Sequence, residues 1–211
     1  MRTILRCHRC ALLLLLALLA VGVRADEFDI VVIGGTPGGI AAAVTAARHG
    51  RSVALVEYHA HLGGMAASGL GKSDVETKEA IGGLWREFVD RVLKHYIKTY
   101  GPAHENVKLC REGYYYEPSV AEKIFDTMVA EQPRIRVFKR HQLATATRDG
   151  NRVVAAHVID RASGAKRELR GGVFIDATYE GDLLAAAGAA YRLGRESRAE
   201  FNELHAGVVY M

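Results

Sequence analysis

The chain has little of what specialised scaffolds need. Four prolines in 211 residues, with 49% apolar and 25% charged side chains, exclude a collagen-like or disordered chain and leave an ordinary globular composition. Three cysteines are too few for a disulfide framework, and two of them, Cys7 and Cys10, fall in the first 25 residues. No internal repeat, low-complexity tract or long charge run interrupts the remainder. Acidic residues are missing before Asp26, whereas Arg2, Arg6, Arg9 and Arg24 all precede it. The net charge of +4 therefore belongs to that leader. Beyond it 24 basic residues face 24 acidic ones, and the electrostatic case for a nucleic-acid partner disappears.

The leader has the parts of a secretory signal peptide: an Arg-bearing start, an apolar run at 11–23 (ALLLLLALLAVGV), and Val23 and Ala25 ahead of Asp26. Cleavage is expected after Ala25, which divides the chain into a signal peptide (1–25) and one domain (26–211), secreted or periplasmic. The apolar run is thirteen residues long, short of the roughly 20 that cross a bilayer as a helix. No stable membrane span is expected after cleavage. The n-region holds no twin-arginine pair. Cys110 is then the lone mature thiol; only Lys108 and Arg111 are cations near it in sequence, and it reads as a partly buried structural cysteine.

Residues 28–33 (FDIVVI) form a continuous β-branched run of the kind a strand buried on both faces requires, and the run stops at a glycine cluster. A small-residue helix is expected at 38–49, closed by Gly50, and a second buried strand at 52–56 (SVALV). Strand, helix and strand within about thirty residues make a βαβ unit with a right-handed crossover. Leu84, Phe88, Val89, Val92, Leu93, Tyr96, Ile97 and Tyr100 recur at three and four, marking an amphipathic helix. Ser119 and Glu122 form a capping box ahead of a helix running to about Ala130. Short strands follow at 135–139, 142–148, 152–160 and 166–170, with an Asp149-Gly150 hairpin turn; 173–177 returns to the buried-strand type, and 181–189 looks helical. The fold class is α/β: a Rossmann-like parallel sheet interrupted by a small antiparallel β-meander.

Between the first strand and helix stands Gly34-Gly35-Thr36-Pro37-Gly38-Gly39. In the fingerprint G-x-G-x-x-G the glycines serve the tight turn, the approach of backbone to a pyrophosphate, and helix–strand packing. Gly34 and Gly39 fill the first and third places, and Thr36 stands in the second. Either Gly35 supplies the close approach or the Thr36 hydroxyl contributes a hydrogen bond. The helix N-terminus behind them offers free N–H groups and partial positive charge to a diphosphate. Glu57 ends the second strand, near the position where a carboxylate accepts from both ribose hydroxyls and repels a 2′-phosphate, which argues against NADP. The fingerprint alone does not choose between FAD and NAD.

His61-Leu62-Gly63-Gly64-Met65 and Ser68-Gly69-Leu70-Gly71 make a second glycine-rich loop. With VVIGGTPGGIAAA, VALVE, HLGGM, SGLG, IGGLWREF, EPSVAEKIF, FIDATYEGDLLAAAG and YRLGRES, the mature chain resembles the FAD-dependent oxidoreductases of the glutathione-reductase-like class, in particular an exported, xanthan-lyase-like group. The resemblance implies that FAD is the cofactor. It places Gly34, Thr36, Gly38 and Gly39 at the diphosphate with Gly35 and Pro37 in the same turn, Glu57 at the adenine ribose, and Gly63, Gly64 and Met65 on the ribityl and flavin side. Leu143 would offer backbone contacts to adenine, and Ala177 and Thr178 would cover the adenosine end, although Tyr179 stands where glycine is often found.

The resemblance further implies hydride transfer from a small, carbohydrate-related substrate to the flavin. It also implies that this chain is an N-terminal portion, with the start of a substrate-side insertion around 72–118, since family members are considerably longer; such a portion is expected to be inactive alone. Catalytic residues are not legible, and no metal is implied. His59 and His61 read as loop histidines, and Tyr114, Tyr115 and Tyr116 as alternating along a half-buried strand. Arg192, Arg195 and Glu196 suit either an anionic substrate or a solvated ion-pair cluster. Two other readings compete: a non-catalytic remnant that binds no cofactor, and an NAD-dependent dehydrogenase, which leaves HLGGM and the meander unexplained.

Overall fold

The computed structural model describes residues 24–207. The signal-peptide reading of residues 1–23 lies outside the described residues. Six strands, β1 (Arg24–Ile33), β2 (Val53–Val56), β3 (Ile135–Phe138), β4 (His141–Asp149), β5 (Arg152–Asp160) and β6 (Lys166–Asp176), form one sheet in the order β3-β2-β1-β6-β5-β4. Pairings β3-β2, β2-β1 and β1-β6 are parallel, and β6-β5 and β5-β4 antiparallel. This is the expected α/β class, a Rossmann-like parallel sheet with an antiparallel meander. The expected cleavage point after Ala25 falls inside β1, whose Arg24 and Ala25 already pair with Arg167 and Glu168.

The helices are α1 (Pro37–Arg48), α2 (Gly64–Ala67), α3 (Gly83–Tyr100), α4 (Glu105–Leu109), α5 (Pro118–Ala130), α6 (Asp182–Ala186) and α7 (Arg198–Phe201). Alternation along β1 and β2 divides the core. Val32, Val53 and Leu55 face one side, where they meet Ile40, Ala43 and Val44 of α1, Phe88, Val89 and Val92 of α3, and Phe125 and Met128 of α5. Phe88 stacks on Phe125 at 4.4 Å and takes Tyr116 edge-on at 5.3 Å. Val31, Ile33, Ala54 and Val56 face the other side and pack with Ala156, Val158, Leu169 and Leu183, so the meander covers the second face. Both faces are closed, which is why these two strands read as unbroken apolar runs. Among the described residues no helix is long and apolar enough to cross a membrane.

Four sequence expectations change. The strands expected at 166–170 and 173–177 are one strand, β6, which pairs with β5 over its first half and with β1 over nearly its whole length. The Gly171-Gly172 pair read as a break, yet the ladder with β1 runs through it. Ser119 caps nothing: Pro118 opens α5, Glu117 is the N-cap residue, and no side chain caps the helix. Tyr114, Tyr115 and Tyr116 alternate buried, exposed, buried as expected, but on a single bridge from Tyr115 to Lys72 rather than on a strand. Residues 205–211 (HAGVVYM) read from sequence as part of a strand, but 204–207 form a turn, and 208–211 lie outside the described residues. Cys110 is buried, its Sγ donating to the Val107 carbonyl, in keeping with a structural role. Arg192 pairs with Glu200 and lies over the Phe201 ring, consistent with a surface ion pair.

An ion network fastens the outer surfaces of three helices. Arg48 of α1 donates two hydrogen bonds to Glu87 of α3, and Arg91 of α3 donates both to Glu87 and, in a fork, to Glu131 after α5. Hydrogen bonds from Arg48 first, and then Arg91, outweigh burial and bring the Glu87 carboxyl down to about 2. A carboxylate whose pKa is depressed on folding stabilises the fold above its ordinary value and loses that contribution as pH falls toward the folded one. Glu87→Gln is therefore expected to cost about 1 kcal/mol at neutral pH. Denaturant unfolding across pH should show the gap from wild type closing as pH falls from the ordinary glutamate value of 4.5 toward about 2.

Candidate functional site

The parallel strands β1, β2 and β6 all end at one side of the sheet, and a cleft of about 620 Å³ opens there. This is the crevice at the carboxyl ends of an open α/β sheet where ligands bind, and its size lies within the roughly 300–1,000 Å³ of small-molecule and cofactor sites. Ile33, Gly34 and Thr36 line it from the first turn, Val56 and Glu57 from the second strand, and Gly64 and Met65 from α2. Gln142, Leu143 and Ala144 come from β4, and Thr178, Tyr179, Glu180 and Asp182 from the segment after β6.

The first turn is held by close approach. A Cβ on Gly39 would stand 1.9 Å from the Gly34 carbonyl oxygen, and one on Gly34, whose φ is +106°, would stand 2.5 Å from the Ala177 carbonyl oxygen. Thr36 is the N-cap of α1: its hydroxyl accepts from Gly39 N–H at 3.2 Å and donates to the Ala177 carbonyl at 2.9 Å. Both functions of the hydroxyl are thus committed within the protein. Gly35 turns inward, its N–H donating to Glu57 Oε2 at 2.7 Å, and a Cβ there would meet Leu62 at 2.6 Å. Among the described residues the donors left without a partner in the glycine turn are the N–H groups of Thr36 and Gly38, because Pro37 has none.

Glu57 is buried at 6% exposure. Its two oxygens accept from the Gly35 and His59 amides, each at 2.7 Å, which fixes the carboxylate at the cleft wall and leaves lone pairs on both oxygens. Opposite, Asp176 organises the segment after β6. It accepts from Thr178 N–H and hydroxyl and from Leu184 N–H, and the Thr178 hydroxyl accepts in turn from Gly181 and Asp182. A bulge in the β4–β5 register between Leu143 and Thr145 shapes the rim where β4 meets the cleft.

Of the residues expected from sequence, Gly34, Thr36, Glu57, Gly64, Met65, Leu143 and Thr178 line the cleft together. Gly35, Pro37, Gly38, Gly39, Gly63 and Ala177 do not line it: Gly39 packs on the end of β6 at Ala177, Gly35 on Leu62 and Glu57, and Gly63 on Phe125 of α5. Sequence reasoning missed Tyr58, Gln142, Ala144, Glu180 and Asp182, and it also passed over His141. Tyr58 and the β4 residues directly flank predicted ones, and that adjacency was the available signal. Among the described residues no group of three or more His, Cys, Asp or Glu side chains is arranged to hold a metal.

Packing, rather than ligand contact, sets the cost of altering the turn. Gly39→Ala is expected to lower the unfolding free energy by roughly 1–3 kcal/mol through overpacking. A Cβ on Gly38 meets only the Thr36 hydroxyl, at 3.8 Å. Gly38→Ala is expected to leave stability unchanged or raise it by up to about 1 kcal/mol. Denaturant unfolding of the two variants checks the contrast.

A family model described as FAD dependent oxidoreductase matches residues 29–211. Among solved structures the chain is similar to the flavin-dependent brominase Bmp2, at 17% identity over 81% of this chain and 43% of that one, with a TM-score of 0.54. It is also similar to THI4 of Thermovibrio ammonificans, at 16% identity over 80% of this chain and 64% of that one, TM-score 0.53. At such identities the likeness is one of fold. The chain spans 23% of an L-proline dehydrogenase from P. horikoshii, and less than two thirds of the length of each of these three proteins. No curated protein matches it. The family match covers nearly all of the described chain, including both glycine loops, Glu57 and the segment after β6: the chain belongs to the FAD dependent oxidoreductase family, whose cofactor is FAD.

Proposed function

We propose that the cleft at the ends of β1, β2 and β6 holds FAD, with the diphosphate over the β1–α1 turn and the adenosine between Glu57 and the rim of β4. The observation that carries this reading is the buried Glu57 carboxylate. It is held by two backbone amides beside a turn that leaves the Thr36 and Gly38 N–H groups free. The residues present fit the group: Ile33, Val56 and Leu143 supply apolar wall for adenine, the carboxylate suits ribose hydroxyls, and free amides suit phosphate oxygens. A 2′-phosphate would face Glu57 and be repelled. When bound, FAD supplies a two-electron acceptor, and the protein's own part is to hold and orient it.

The whole protein is then an oxidoreductase that moves hydride from a small substrate to flavin. The resemblance to exported, xanthan-lyase-like oxidoreductases supports a carbohydrate-related substrate. The leader supports export with cleavage after Ala25. That cut would leave Asp26 first, its carboxylate paired to Arg136 at 2.9 Å, so β1 keeps an anchor at its new end. N-terminal sequencing of the exported protein should read Asp-Glu-Phe.

Titration with FAD, followed by flavin absorbance and fluorescence, tests the cofactor site. Stoichiometric uptake is expected, and a protein that stays colourless in excess FAD overturns the reading. Gly38→Ala should weaken FAD several-fold while keeping its stability, because the added methyl crowds a free amide without disturbing the core.

A further inference from the structure

Tyr179 reaches across the cleft from the segment after β6. Its Oη accepts a hydrogen bond from Met65 N–H at 2.8 Å, joining positions 114 residues apart. The hydroxyl stands over Gly64. A Cβ there would lie 2.2 Å from Oη and 3.0 Å from Cζ of Tyr179, and 3.3 Å from the Thr36 Cα. The missing side chain at Gly64 therefore makes room for the tyrosine on one side and the first glycine turn on the other. From sequence that glycine belonged to the ribityl and flavin side; its neighbour in space is a phenol.

The same geometry leaves the phenol with a proton to give. Tyr179 has one acceptor function engaged by Met65, and its O–H meets no acceptor among the described residues. Its ring lines the cleft and is 56% exposed. Among the described residues no Lys or Arg lines this cleft, while Glu57, Glu180 and Asp182 do. Backbone amides, the His59 and His141 side chains and hydroxyls are the donors such a cleft offers an anionic ligand, and a hydroxyl fixed above the junction of the two glycine loops is placed to be one.

We propose that Tyr179 is a clasp. Fixed by the Met65 amide, it donates its O–H to a phosphate oxygen of a diphosphate-bearing ligand and holds the two glycine loops together across it. This rests on the reading of the cleft as the FAD site. The proton stays on the tyrosine, and no bond is made or broken.

Two experiments test it. In equilibrium titrations with ADP and with FAD, Tyr179→Phe is expected to weaken both about ten-fold, as loss of a hydrogen bond to a charged group does. Adenosine, which lacks the diphosphate, should bind both proteins alike. Unchanged affinity for ADP overturns the proposal. Increased affinity overturns it too, because the hydroxyl would then be a plug that ligand displaces. Wild-type protein that binds neither ADP nor FAD brings down the cofactor reading and the ligand half of the clasp together. The protein half is read without ligand, by thermal melting. Gly64→Ala should lower the melting temperature, and part of that loss should vanish in a Tyr179→Ala background, where the methyl no longer meets the phenol. An equal loss in both backgrounds overturns the Gly64–Tyr179 pairing.

Discussion

The Thr36 hydroxyl donates to the Ala177 carbonyl and accepts from the Gly39 amide, and through that one oxygen the first turn of the fold is fastened to the end of its last strand. The bond spans 141 residues of sequence. Around it Gly34 and Gly39 carry no side chains, because Ala177 and the turn's own carbonyl occupy the space. Once Ala177 is fixed, the neighbouring Asp176 and Thr178 are in place to order the segment leading into α6, and Tyr179 is carried over Gly64. One wall of the cleft is therefore suspended from the other.

That construction uses no positive side chain. Lys and Arg are plentiful on the surface, where Arg48, Arg91, Arg136 and Lys139 pair with acids, but among the described residues none lines the cleft. Attraction for the diphosphate of the proposed ligand comes from backbone amides, the dipole of the twelve-residue α1 and the Tyr179 hydroxyl, all held by the fold before a ligand arrives. Glu57 is fixed at the cleft wall by the Gly35 and His59 amides that grip its oxygens.

What was legible in the sequence was whatever a local pattern writes. Two-faced burial made β1 and β2 continuous apolar runs, and three-and-four spacing marked α3. The Gly34–Gly39 turn announced itself by composition, and its context located the cleft. What escaped is set by partners distant in the chain. Gly171-Gly172 resembles a break until β1 is seen running alongside it. The capping box at Ser119 failed for a local reason instead: Pro118 takes the first helical position and moves the cap upstream. The close approach was open between Gly35 and the Thr36 hydroxyl; in the structure the Gly35 N–H is bound to Glu57 and the Thr36 hydroxyl to Ala177 and Gly39. Tyr58, Gln142, Glu180 and Asp182 reach the cleft from three separate segments, an assembly that no spacing records.

The placement of β6 has a consequence for how the molecule comes into being. This strand is the neighbour of β1 in the sheet yet is made some 140 residues later in the chain, with β2, β3 and most of the helices formed in between. Pairings so distant carry the largest loop-closure cost, and folds built on them close slowly. Until β6 docks, β1 has one open edge, the glycine turn has nothing to lean on, and the cleft has only one wall. The cleft is completed by the same event that closes the sheet, so a ligand meets both of its walls only on a chain that has already reached that stage.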